Sequence, residues 1–169
     1  ALLLKAKFLL KDDQLDQAIS TLRTLIRNNP QLDEALVLLA QAYALTGSSE
    51  LAENSFRQAL SVNPTNPQAA LSVASVLMRG NDLDRTEQVL VRALEGNPAN
   101  ENLLQALAQI RILKRDWAGT KQTINELDDK TALTHLLTAQ MYQGLNDTTL
   151  AITQYESALK LDPSLIRAL

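Results

Sequence analysis

The stretch Asp33 to Asn66 reads DEALVLLAQAYALTGSSELAENSFRQALSVNPTN, and its reading decides the fold. Apolar residues recur at three- and four-residue spacing in two runs, which puts one buried stripe on each of two helices. Thr46-Gly47-Ser48-Ser49 separates the runs, and Pro64 closes the unit. No period-two alternation and no Asn-Gly hairpin signal interrupts the pattern.

The unit recurs on both sides. Pro30, Pro64 and Pro98 are spaced 34 apart, and the next, Pro163, lies 65 further on, three short of two units. We place the loss at Leu127-Asp128-Asp129-Lys130, because the helical patterns around that connection are intact. Five units follow, about 1–32, 33–66, 67–100, 101–131 and 132–165, with 166–169 starting a further helix. The eighth position holds Ala6, Ala40, Ala74, Ala108 and Ala139. The twentieth, Ala18, Ala52, Thr86, Thr120 and Ala151, is always small. Small side chains belong where two helix axes approach to about 8–10 Å. The twenty-fourth, Leu22, Phe56, Leu90, Ile124 and Tyr155, is always large and fills the space toward the next unit.

Polar starts support the segmentation. Asp33, Asn66, Asn100 and Thr131 stand where first helices open, and Ser48, Asp82, Asp116 and Asp147 where second helices open. Each side chain can accept from an orphan amide, and Pro67 suits a first helical position. Gly47, Gly80 and Gly144 lie in or beside the intra-unit turns, where left-handed backbone suits glycine.

A helix–turn–helix of this length, small at positions 8 and 20 and closed by proline, resembles a tetratricopeptide repeat. Leu36, Leu39, Ala40, Tyr43, Gly47, Ala52, Phe56, Ala59 and Pro64 of the second unit carry the resemblance, which covers essentially the whole chain. It implies an all-α solenoid of five antiparallel helix pairs in a right-handed superhelix, with first helices lining a concave groove. Arg111 departs from the pattern where the family favours Tyr, and His135 stands at its tryptophan position. Units four and five are therefore where packing should be irregular.

Composition fits and excludes other classes. Hydrophobic residues make up 46% and aromatics 4%, a core of leucine and alanine. Net charge is −3 with both signs interspersed, which offers nucleic acid or anionic lipid no single-sign field. No run is apolar enough to span a membrane. Cysteine is absent, so disulfides and thiolate metal sites are excluded, and the compartment, cytoplasmic or periplasmic, stays open. ALLLKAKFLL, interrupted by Lys5 and Lys7, reads as a repeat helix and not as a signal peptide. The chain starts without Met and ends just after a helix start, so we expect a piece of a longer array.

Nothing in the sequence assembles a catalytic or cofactor site, and the chain reads as no enzyme. His135, the one histidine, is read as packing. Asp12-Asp13 and Asp128-Asp129 fall in turns and read as caps and solvated corners. Trp117, at the place of Leu15 and Leu83, reads as core. Arg111, Lys114 and Arg115 form a basic knot at a helix C-terminus, which the helix dipole favours.

The resemblance implies groove residues at positions 2, 5, 9, 12 and 13. The candidates are Val37, Gln41, Leu71, Ser75, Met78, Arg79, Asn102, Gln105, Gln109, Ile112, Leu136, Gln140 and Gln143. Amides interleaved with apolar anchors suit a peptide or helix, because Gln both donates to and accepts from a backbone. The Lys and Asn groups with which some family members hold a terminal carboxylate are missing, apart from Lys7. The function expected is a scaffold for a protein or peptide partner. The alternative is a structural spacer that self-associates through exposed array ends. The repeats are also similar to the long bacterial arrays of exopolysaccharide-export systems.

Overall fold

Leucine and alanine at helical spacing coil into ten α-helices in the computed structural model, which describes residues 1–128 and 131–167. No strand occurs among the described residues. The helices gather into two units, Ala1–Asp82 and Leu83–Leu169.

The first unit holds α1 (Leu2–Lys11), α2 (Leu15–Asn28), α3 (Asp33–Leu45), α4 (Ser49–Val62) and α5 (Pro67–Arg79). Each helix packs on the next, and α1 also meets α3. Ala6, Leu22, Ala35, Leu39, Tyr43 and Ala52 form the core between them. Tyr43 is held in place by Arg23, whose Nε donates to the tyrosine hydroxyl at 2.8 Å and whose guanidinium lies 5.6 Å from the ring centre.

The second unit holds α6 (Leu83–Gly96), α7 (Glu101–Leu113), α8 (Trp117–Ile124), α9 (Ala132–Gly144), α10 (Thr148–Leu161) and a 3-10 turn at Pro163–Arg167. Here α7 packs on α6, α8 and α9, and α10 lies along α9. Leu104, Ala108, Ile124, Leu127, Leu137 and Met141 form its core, with Trp117 and Tyr142 packed against them.

The repeat ruler places its small residues correctly. All five eighth-position alanines are at most 3% exposed, and all five twentieth-position residues are buried. Thr120 replaces alanine without stranding its hydroxyl, which donates to the Asp116 carbonyl at 2.7 Å. At position 24 only Tyr155 is left half-buried.

Five expectations are corrected. The missing residues are taken from a helix and not only from a connection: α8 has eight residues where α2, α4, α6 and α10 have fourteen. Leu127 is still buried beyond its end, while Asp129 and Lys130 lie outside the described residues. Asn66, Asn100, Thr131, Asp116 and Asp147 cap their helices by accepting an amide, but Asp33 and Ser48 do not. Asp33 already lies inside α3, and its carboxylate accepts from Asn63 at 2.7 Å and Asn66 at 2.9 Å. Burial pushes this carboxyl up, but the two amides and its backbone bonds more than offset that and hold it below the ordinary range.

The turns are the third correction. Gly80 and Gly144 have ordinary backbone. The left-handed residue is the fifteenth of every unit: Asp13, Gly47, Asn81, Arg115 and Asn146, with φ between 56° and 75°. The next amide donates back to the carbonyl five residues earlier, at 2.8–3.0 Å, in all five turns. This is the Schellman closure of a helix end. Gly144, the last residue of α9, is bare for another reason. A Cβ there would lie 2.1 Å from Cη2 of Trp117, so the indole occupies the space a side chain would need.

The basic knot is the fourth, because acidic side chains on α6 meet it. Arg111 Nε donates to Glu87 at 2.8 Å, and Lys114 Nζ to Glu87 at 2.7 Å and Asp84 at 2.6 Å. Arg111 also donates to the Gly119 carbonyl at 3.1 Å and to Thr123 Oγ1 at 2.7 Å. An arginine can therefore stand at the tyrosine position of this unit because α6 and α8 together accept three of its five donors. The fifth is Val37, a candidate groove residue, which is only 7% exposed and has little surface to offer a ligand.

Candidate functional site

Glutamine on a helix surface carries a donor and an acceptor into solvent, so its neighbours decide whether it can serve a ligand. In the second unit, α7 and α9 bring four candidates together. Gln109 and Ile112 from α7, with Gln140 and Gln143 from α9, line a hollow of about 570 Å³. Leu113, Arg115, Trp117, Gly144 and Asn146 complete its lining. Asn102, Gln105 and Leu136 stand on the same two helices outside that lining.

The amides are not equivalent. The Tyr155 hydroxyl donates to Gln143 Oε1 at 2.7 Å, and burial raises the pKa of this phenol, which keeps it a donor. The amide NH₂ of Gln143 has no partner among the described residues. Gln140 Oε1 is buried without a hydrogen bond among the described residues. Such an acceptor favours any N–H that reaches it, by roughly 1–3 kcal/mol.

In the first unit, Leu71, Ser75 and Arg79 of α5 line a smaller hollow of about 420 Å³ with Ala44, Glu53 and Phe56. Met78 is 38% exposed and Gln41 half-buried, both outside that lining. Lys7 is paired with Glu34 at 2.5 Å, both half exposed.

His135 is half-buried, with Nδ1 2.7 Å from Oε1 of Gln154, and both line a further hollow of about 610 Å³. Among the described residues no group of three or more His, Cys, Asp or Glu could hold a metal ion. No helix among them is long and apolar enough to cross a membrane.

The Tetratricopeptide repeat family matches over residues 9–76 and 46–110, and again over 134–165. The chain belongs to the tetratricopeptide repeat family. As a tetratricopeptide repeat array it also resembles solved structures. YrrB, described as a tetratricopeptide repeat protein with an unusual peptide-binding site, superposes with a TM-score of 0.79 at 14% identity, over 96% of this chain and 85% of that one. MamA gives 0.77 at 14% identity, over 96% of both chains. MamA from Desulfovibrio magneticus RS-1 gives 0.75 at 18% identity, over 94% of this chain and 92% of that one. At these identities the likeness is one of fold. No curated protein matches in sequence.

Sequence reasoning missed Leu113, Arg115, Trp117, Gly144 and Asn146 as lining residues. Signals in the sequence pointed to two of them. Arg115 breaks a run of Asp, Gly and Asn at the fifteenth position, and Trp117 is the only tryptophan.

Proposed function

We propose that the chain is a protein–protein interaction scaffold, one array of helix pairs that holds a peptide or helix of a partner against its first helices. The reading makes it a non-enzymatic module. What carries it is the second unit's hollow, where Gln109, Ile112, Gln140 and Gln143 converge and two of the amides keep unused hydrogen-bonding groups. A peptide backbone presents matching donors and acceptors, and an apolar side chain suits Ile112. The remaining candidates are Asn102, Gln105 and Leu136 on the same two helices of the second unit, and Gln41, Leu71, Ser75, Met78 and Arg79 in the first unit.

The test is binding of partner peptides selected from a random library. Gln41→Glu combined with Gln109→Glu is expected to weaken binding at least about tenfold at unchanged helicity, through repulsion of backbone carbonyls. Undiminished affinity in that variant would remove the reading's main support.

Self-association, as in a spacer of a larger bacterial secretion or exopolysaccharide-export protein, is a second reading supported by α1. Leu4 and Phe8, one turn apart, are 61% and 58% exposed. Sedimentation velocity is expected to show concentration-dependent dimers that Phe8→Glu abolishes. A chain monomeric at all concentrations counts against this reading.

A further inference from the structure

Four of the five turns put Asp, Gly or Asn at the left-handed fifteenth position, residues that adopt this backbone readily. Arg115 adopts it at φ 59°, although a long side chain there carries a steric cost. Packing does not account for the choice. Arg111 and Lys114 are met by Glu87 and Asp84, whereas Arg115 takes part in no ion pair among the described residues. Arg115 lines a hollow whose lining includes no aspartate or glutamate. The NH₂ of Gln143 adds donors, Gln140 Oε1 is an acceptor without a partner, and Trp117 supplies an aromatic wall. The first unit's hollow differs in that its lining includes an acid, Glu53, which is paired with Arg57 at 2.7 Å.

We infer that the second unit's hollow takes the carboxylate of an aspartate or glutamate side chain within a peptide, with Arg115 as its cation. The inference rests on the peptide-holding reading and names the partner's chemistry there. Arg115 presents a planar fork suited to a carboxylate. The Gln143 amide donates beside it.

The test uses random dodecapeptides displayed through their C-termini, so that no free terminal carboxylate is offered. Selected peptides are synthesised with blocked ends and titrated into the chain, with emission from Trp117, its one tryptophan, as the readout. The selected peptides are expected to share an acidic position and to alter that emission. Changing the acid to its amide is expected to weaken binding about tenfold or more. Arg115→Asn should cause the same loss, and combining the two changes should add little. High salt should shrink the effect. The asparagine variant keeps the turn, since Asn81 and Asn146 fill the same place, and its melting curve reports whether it folds. If Arg115→Asn binds as tightly as the parent, or the peptides share no acid, this inference fails and the scaffold reading stands. Peptides that bind without altering Trp117 emission also overturn it. A library that yields no binder overturns both.

Discussion

Replacing Glu87 by leucine is expected to lower the stability of the chain by about 3 kcal/mol, measured as a shift of the urea midpoint at constant slope. The reason is what the change leaves behind. The side chains of Glu87 and Arg111 are only 19% and 18% exposed, and Glu87 accepts from both Arg111 and Lys114. Without it Arg111 keeps its bonds to Gly119 and Thr123 but loses the one counter-charge it has among the described residues, a larger penalty than losing an exposed pair. The hydrogen bond from Lys114, then the one from Arg111, hold the Glu87 carboxyl below the usual 4.5 despite burial. A carboxyl depressed in the folded state stabilises fully above its unfolded pKa, and the contribution fades as pH falls through the folded value. Stability should therefore drop below about pH 4.5 in the parent and fall less steeply in Glu87→Gln. Equal acid slopes in the two would show that the network contributes nothing.

Gly144→Leu is expected to cost about 3 kcal/mol, the top of the ordinary range for overpacking. Three ring atoms of Trp117 lie within 2.1–2.7 Å of the position a Cβ would take, so the whole indole must leave. Helix propensity favours the change by roughly 1 kcal/mol at most, too little to reverse it. Because Trp117 is the only tryptophan, its displacement should also shift the folded protein's emission to longer wavelength. A variant as stable as the parent with unaltered emission would mean that the indole and Gly144 are not in contact.

What was legible in the sequence follows from range. The five alanines could be read because a helix crossing imposes the same size limit in every unit. Asn66, Asn100, Thr131, Asp116 and Asp147 could be read because capping is local. Asp33 misled because its partners, Asn63 and Asn66, lie 30 and 33 residues away. Gly144 misled for the same reason: its bareness serves an indole on another helix, not its own backbone. The basic knot looked like a response to the dipole of α7 until α6 supplied Glu87 and Asp84. In the site, the family resemblance pointed to the amides of α7 and α9. It could not show that Tyr155 occupies one face of Gln143, nor that Val37 is covered. The shortening of α8 was visible as a broken proline spacing, but its location was not, because the Leu127 pattern continues past the last helical residue.

The shared closure of the five turns has a consequence for specificity. Five backbones follow one path with four residue types, so the fifteenth place can change identity while the scaffold around it stays put. A recognition group set there is portable: arginine could be transplanted into another turn, or withdrawn from this one, without redesigning a helix. Repeat arrays can diversify what they grip through such interchangeable corners, leaving their buried seams untouched.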